Sequence, residues 1–245
     1  MSRHRLYHDL AELWPLLSPP EDYAPEAATL RRVIAEHMEP RSQGRAALLE
    51  FGAGGGHTLR HLRDEFDCVA VDYSEAMLAN CRKLNPDVQA IVGDMRTLRL
   101  DRSFDVVLIH DAIDYMLSEA DVRAALDTAA AHLRRGGVAL IAPTYTRETF
   151  ENHQADQDQN RSGDRVLTYF QYVHDADPLD TTFELILVYL INDAGQVRIE
   201  HDRHTCGLFA ERTWLTLMND AGFDARANKP LEGDPDWILY VAIRR

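Results

Sequence analysis

The chain reads as an α/β protein built on a doubly wound, mostly parallel sheet, and three features of its sequence predict this. From Ala46 onward, apolar strand-like runs alternate with amphipathic helical patterns. The strand runs are apolar almost throughout, as strands buried on both faces must be. Glycines or acidic residues stand where the first three runs end, at the carboxyl rim where open α/β sheets bind ligands. At 245 residues the chain suits one such domain carrying an insertion.

The first 24 residues predict a short amphipathic helix carrying Leu6, Leu10, Leu13 and Trp14, ended by the turn Ser18-Pro19-Pro20. A second helix spans about Pro25 to Met38. Its Ala27, Leu30, Ile34 and Met38 share one face, and Pro25 suits a first turn. Strands are expected at Ala46–Phe51, Cys68–Val71, Val88–Val92, Phe104–His110 and Val138–Ala142, with helices between them over 57–66, 75–84 and 119–134. Ser118 and Asp121 give the last helix capping-box spacing, and Gly136-Gly137 ends it.

After Pro143 the rhythm changes. Residues 145–165 are polar and acidic and predict a lid loop. Strands follow at Val166–Val173, Phe183–Ile191 and Gln196–Phe209, the last two joined by the hairpin turn Asn192-Asp193-Ala194-Gly195. A helix over Glu211–Ala221 stops at Gly222. Short strands near Phe223–Ala227 and Trp237–Ile243 bring the main sheet to seven strands. The expected division is a helical cap at 1–40, an α/β core at 41–144 and 206–245, and a lid loop with an antiparallel β insertion at 145–205.

Composition narrows the function classes. Hydrophobic residues at 45% allow a sizeable core. Cys68, Cys81 and Cys206 form no CxxC pair, which argues against a disulfide framework or a thiolate metal site. The formal charge of −14, with no basic stripe, disfavours a nucleic-acid partner. No apolar run is long enough to span a bilayer, and the N-terminus lacks the pattern of a signal peptide, so the expected location is cytoplasmic.

The strongest local motif is Leu48-Leu49-Glu50-Phe51-Gly52-Ala53-Gly54-Gly55-Gly56, where an apolar strand gives way to a helix. Glycines there permit positive φ and close backbone approach to a ligand. A dinucleotide fingerprint needs a third glycine at 57, and the residue is His57. A nicotinamide dehydrogenase is disfavoured on that ground. Asp72 ends the second strand, where a carboxylate can accept both hydroxyls of a ribose, and Ser74 is the better N-cap for the next helix. Val92-Gly93-Asp94-Met95 ends the third strand. The fourth runs out into His110-Asp111 and then Ala112-Ile113-Asp114-Tyr115, without the Asn/Asp-Pro-Pro-Tyr of DNA and protein-glutamine N-methyltransferases.

Taken together, these turns resemble class I S-adenosylmethionine-dependent methyltransferases. The order of Glu21-Asp22-Tyr23-Ala24-Pro25, the GDM turn, Arg135-Gly136-Gly137-Val138, Pro143, Glu148-Thr149-Phe150 and His204-Thr205-Cys206-Gly207 resembles bacterial nucleotide-amino-sugar N-methyltransferases along nearly the whole chain. The resemblance implies S-adenosylmethionine as cofactor, with S-adenosylhomocysteine as product. It implies contacts from Tyr23, Glu50, Gly52, Ala53, Gly54, Gly56, Asp72, Tyr73, Met77, Gly93, Asp94, Met95 and His110. Glu50 would hold the cationic methionine end, Asp72 the ribose, and Asp94 with the Met95 amide the adenine. His110, Asp111, Tyr7 and His204 are the catalytic candidates, and Tyr7, Trp14 and Tyr23 would cap the acceptor. The spelling GAGGG and the His-Asp pair differ from the sugar enzymes, so the resemblance does not extend to sugar specificity. The reading is methyl transfer to a small molecule, at nitrogen first and oxygen as the alternative, by a monomer or homodimer. A non-catalytic cofactor-binding protein is the remaining competitor.

Overall fold

The computed structural model describes residues 4–39, 44–228 and 237–245. The expected boundary between cap and core, at 40–41, lies outside them.

The main sheet contains β1 (Ala46–Phe51), β2 (Phe66–Asp72), β3 (Gln89–Val92), β4 (Phe104–His110), β5 (Leu133–Ala142), and two late strands, β10 (Phe223–Asn228) and β11 (Leu239–Arg244). Their spatial order is β10-β11-β5-β4-β1-β2-β3, with β1 to β5 parallel and β11 antiparallel to both its neighbours. This is the doubly wound, mostly parallel seven-stranded sheet that the apolar runs predict.

Helices cover both faces, and strand alternation sorts the core between them. On one face Leu49, Phe51, Val107 and Ile109 pack against α5 (Glu119–His132) and α6 (Glu211–Asp220). On the other, Leu48, Val106 and Leu108 meet α2 (Ala24–His37), α3 (His57–Leu62) and α4 (Glu75–Leu84). α4 is capped as expected: Ser74 Oγ accepts from the Met77 amide at 3.1 Å. Buried Asp105 ties the sheet together, accepting from the Ala47 amide at 2.8 Å and from Arg134 Nε at 2.6 Å.

A second, antiparallel sheet follows β5. It contains β6 (Ala155–Ser162), β7 (Arg165–His174), β8 (Thr182–Asp193) and β9 (Gln196–Gly207), in that order. The polar run 145–165 is therefore not all loop. Residues 155–162 form an edge strand, held by backbone pairing to β7, with almost every side chain exposed.

The N-terminal segment also differs from the single amphipathic helix expected. It folds as 3-10 turns over Arg5–Tyr7 and Ala11–Leu13, a short α1 (Trp14–Leu17), and a further 3-10 turn at Pro20–Tyr23. Its leucines still face inward: Leu6, Leu10, Leu13 and Leu17 pack on Leu167, Leu187 and Ile191 of the second sheet. All three cysteines are buried and free. No helix among the described residues is long and apolar enough to cross a membrane.

Candidate active site

The carboxyl ends of β1 to β4, the N-terminal segment and the inner face of the second sheet enclose a cavity of about 600 Å³. That is the size of a small-molecule site.

The turn after β1 forms one wall. Gly52 stands at φ +71°, and a Cβ on it would collide with the Cβ of Ala112. The turns after β1 and β4 therefore touch, and only glycine permits both the conformation and the approach. Asp72 ties the turn to α4: Oδ2 accepts from the Gly54 amide at 2.8 Å and Oδ1 from the Ser74 amide at 2.7 Å. Each oxygen keeps a lone pair for a ligand hydroxyl. Burial raises the Asp72 pKa in spite of those hydrogen bonds.

Glu50 is 3% exposed, and its Oε2 has no hydrogen-bond partner among the described residues. Burial, and then the neighbouring Asp72, push its pKa up to about 8. A buried carboxyl short of a donor is a receptor for a cationic N–H group.

Asp94 differs from its expected role as an open acceptor. The Arg96 guanidinium grips it, Nη2 to Oδ2 at 2.7 Å and Nε to Oδ1 at 3.1 Å, and also reaches Asp121 at 2.9 Å. The Arg96 hydrogen bonds hold Asp94 below the usual carboxylate range. It is ionised and, beside Arg96, keeps lone pairs for a further donor.

His57 is buried where a dinucleotide site would need glycine, with Trp14 stacked on it at 5.9 Å. Burial pushes its pKa down to about 4, so the ring is neutral near pH 7. Gly56 alone among the expected contacts lies outside the cavity lining. Its φ is +74°, and a Cβ there would strike Cys81 and Asn85, so this glycine serves helix packing against α4.

At the end of β4, His110 lies edge-on to Tyr23 at 6.4 Å, with Nε2 3.4 Å from Asp111 Oδ1. Asp111 adopts φ +51° and ψ −41°, a strained conformation for a residue with a Cβ. The Thr144 hydroxyl donates to its Oδ1 at 3.4 Å.

Tyr7 and His204 both line the cavity. His204 is fully buried and points inward on β9, one residue pair from Asp202, because residues two apart on a strand share a face. Tyr7, Tyr115, His204 and Asp202 are joined in one hydrogen-bonded series. Tyr115, Asp202 and Arg96 are not among the site residues expected from the sequence. The alternation of Asp202, His204 and Cys206 along one strand was the available signal for Asp202; nothing local marks Tyr115.

Among the described residues, one group could hold a metal: ligand atoms of His4, Asp202 and His204 lie within 4.8 Å of one another. Both ring nitrogens of His204 already have hydrogen-bond partners, Tyr115 and Asp202.

Comparison with known proteins agrees with this geometry. Residues 48–137 match a family profile described as a methyltransferase domain. A Streptomyces venezuelae enzyme, dTDP-3-amino-3,4,6-trideoxy-alpha-D-glucopyranose N,N-dimethyltransferase, is 31% identical, over 96% of this chain and 98% of its own. The chain belongs to the S-adenosylmethionine-dependent methyltransferases. Among solved structures, DesVI of Streptomyces venezuelae superposes on this methyltransferase with a TM-score of 0.83 at 27% identity, covering 97% of this chain and 98% of that one. CalS10 with S-adenosylmethionine bound, an amino pentose methyltransferase from Micromonospora echinaspora, gives a TM-score of 0.78 at 25% identity, covering 91% and 92%.

The methyltransferase thus uses S-adenosylmethionine and transfers its methyl to a small molecule. The residues present suit that cofactor. The orphaned Oε2 of Glu50 is an acceptor for an ammonium, and Asp72 has lone pairs for two hydroxyls.

Proposed function

We propose that this enzyme methylates the amino nitrogen of a nucleotide-linked amino sugar. One observation carries the reading: the likeness to a sugar N,N-dimethyltransferase runs along 96% of the chain. It therefore includes the N-terminal segment and the antiparallel sheet, which wall the acceptor side of the cavity, as well as the cofactor half.

In this reading Glu50 holds the amino-acid end of the cofactor, Asp72 the ribose, and Asp94 with Arg96 and the Met95 amide the base. Gly52, Ala53 and Gly54 let the backbone approach, and Tyr23, Tyr73, Met77, Gly93 and His110 complete the walls. S-adenosylmethionine supplies a methyl already activated on a sulfonium. The protein's task is then to align the acceptor and exclude water, effects worth up to ~7–11 kcal/mol in model systems. Tyr7, His110, Asp111 and His204 are the acceptor-side groups. The carboxylates around the cavity favour an ammonium at the reacting end of the acceptor, in keeping with nitrogen as the target. On the same reading the enzyme works in the cytoplasm, as a monomer or homodimer, and its charge of −14 leaves nucleic acid aside.

The test uses cofactor with a labelled methyl and three acceptors: a dTDP-linked amino sugar, the matching hydroxy sugar, and a simple phenol. Label on the sugar nitrogen alone is expected. Label on the hydroxy sugar or the phenol would replace the reading with O-methylation. Cofactor binding with no transfer to any of them would reject the sugar reading.

A further inference from the structure

Four side chains from three separate parts of the chain meet in one line. Tyr7 comes from the N-terminal segment, Tyr115 from the turn after β4, and Asp202 and His204 from β9. Tyr7 Oη lies 2.7 Å from Tyr115 Oη, Tyr115 Oη 2.7 Å from His204 Nδ1, and His204 Nε2 2.8 Å from Asp202 Oδ2.

The donors can be assigned from the far end. Asp202 is buried, yet the hydrogen bonds from His204 and the Leu6 amide hold it below the usual carboxylate range, so it is ionised and only accepts. Nε2 of His204 therefore carries a proton. In a neutral ring Nδ1 is then an acceptor, so Tyr115 donates to it, and Tyr7 donates to Tyr115. The Tyr7 oxygen is left with its lone pairs at the cavity. Every proton in the series then points from Tyr7 toward Asp202.

We propose that this series is a proton relay that takes the proton from the acceptor's ammonium before methyl transfer. The inference rests on the amine reading above. An amine in a cavity lined by carboxylates arrives protonated, and an ammonium has no lone pair to attack with. Its N–H proton passes to the Tyr7 oxygen as the Tyr7 hydroxyl proton passes to Tyr115 and the Tyr115 proton to His204 Nδ1. The nitrogen regains its electron pair, both tyrosines stay neutral, and the positive charge ends on His204 beside the Asp202 carboxylate. Burial raises the pKa of both tyrosines, which suits groups that pass a proton on without ionising. Tyr7 would be the catalytic residue; Tyr115, His204 and Asp202 act through it.

Other titratable groups face the series. The His4 ring lies tilted against that of His204 with centroids 4.2 Å apart, Asp72 lies near Tyr7, Asp114 and Cys206 near Tyr115, and Tyr189 near Asp202. The pH profile must be read against them.

The test has two independent parts. First, nitrogen-15 NMR of the unliganded protein should find His204 protonated at Nε2 and accepting at Nδ1, with Asp202→Asn shifting that tautomer balance. Protonation of the neutral ring at Nδ1, or Zn²⁺ displacing both signals at stoichiometric addition, would overturn the relay. Second, Tyr115→Phe should lower kcat roughly 10²- to 10⁴-fold near neutral pH, with cofactor affinity unchanged. The loss should shrink at high pH, where the amine arrives neutral. A loss that is the same at every pH would assign Tyr115 a structural role and refute the proposal. His204→Gln gives the same reading if Tyr115→Phe does not fold. Absence of any transfer by the unaltered enzyme, with the tautomer signature intact, would strike the amine reading and spare the hydrogen-bonded series.

Discussion

Replacing Glu50 with Gln should make the unliganded protein more stable and the cofactor complex weaker. In the folded chain the Glu50 carboxyl has a pKa of about 8, against an ordinary value of 4.5. The folded state thus keeps a proton that the unfolded state has lost, and stability falls as pH rises from 4.5 to about 8. Each pH unit in that window costs about 1.4 kcal/mol, so by pH 7 the buried acid has forfeited about 3 kcal/mol. Gln has no such dependence. The stability difference between Glu50→Gln and the natural chain, measured by urea unfolding, should be small at pH 4.5 and grow by about 1.4 kcal/mol per unit toward pH 7.

Cofactor binding should change in the opposite direction. A charge-assisted hydrogen bond contributes about 1.5–3 kcal/mol, so equilibrium dialysis should find the variant weaker by roughly 10- to 150-fold. The natural protein should also release about one proton on binding at pH 7, seen in a weakly buffered indicator solution, because Glu50 must ionise to face an ammonium. Parallel stability curves for the two proteins, together with binding that moves no proton, would mean that Glu50 is already ionised in the unliganded protein.

Other consequences are simpler to read. Gly52→Ala should destabilise the chain by about 2 kcal/mol or more in thermal unfolding, through its positive φ and the collision with Ala112, and Ala112→Gly added to it should restore part of the loss. Asp111→Gly should relieve backbone strain and stabilise by about 1 kcal/mol; if the carboxylate orients the acceptor, turnover falls in the same variant, and Asp111→Asn separates the two effects. His57 has its pKa pushed down to about 4, so its contribution is whole above pH 6.5 and is lost as pH falls toward 4, by about 3 kcal/mol. His57→Leu should flatten that acid limb of the urea-unfolding profile, and an unchanged limb would mean the imidazole is not held neutral.

The parts of the fold legible in the sequence are those decided by burial. Val106, Val107, Leu108 and Ile109 form a continuous apolar run because both faces of β4 are covered, and such runs identify central strands without help from distant residues. The edge strand at Ala155–Ser162 carries no such mark. Its side chains face solvent, and its backbone is held by a neighbour rather than by its own composition. In the N-terminal segment, leucines three to four apart fit an α-helix and a chain of 3-10 turns about equally, and the prolines at 15, 19 and 20 break the continuous form.

The same division runs through the site. Glu50, Asp72 and Asp94 could be placed from the sequence because each stands at the end of a strand, and the topology brings strand ends together. Arg96 clasping Asp94 depends on which rotamer the turn after β3 allows. Tyr115 meeting His204 depends on how the second sheet folds back over the first. Pairings of that kind belong to the tertiary structure and leave no period in the chain.

If the rim of the main sheet binds S-adenosylmethionine through Asp72 and its neighbours, the product S-adenosylhomocysteine should bind there too, which titration calorimetry measures. One site per chain is expected, weakened roughly 10- to 150-fold in Asp72→Asn while the fold is retained. No heat of binding with the natural protein, or equal affinity in the variant, would contradict it.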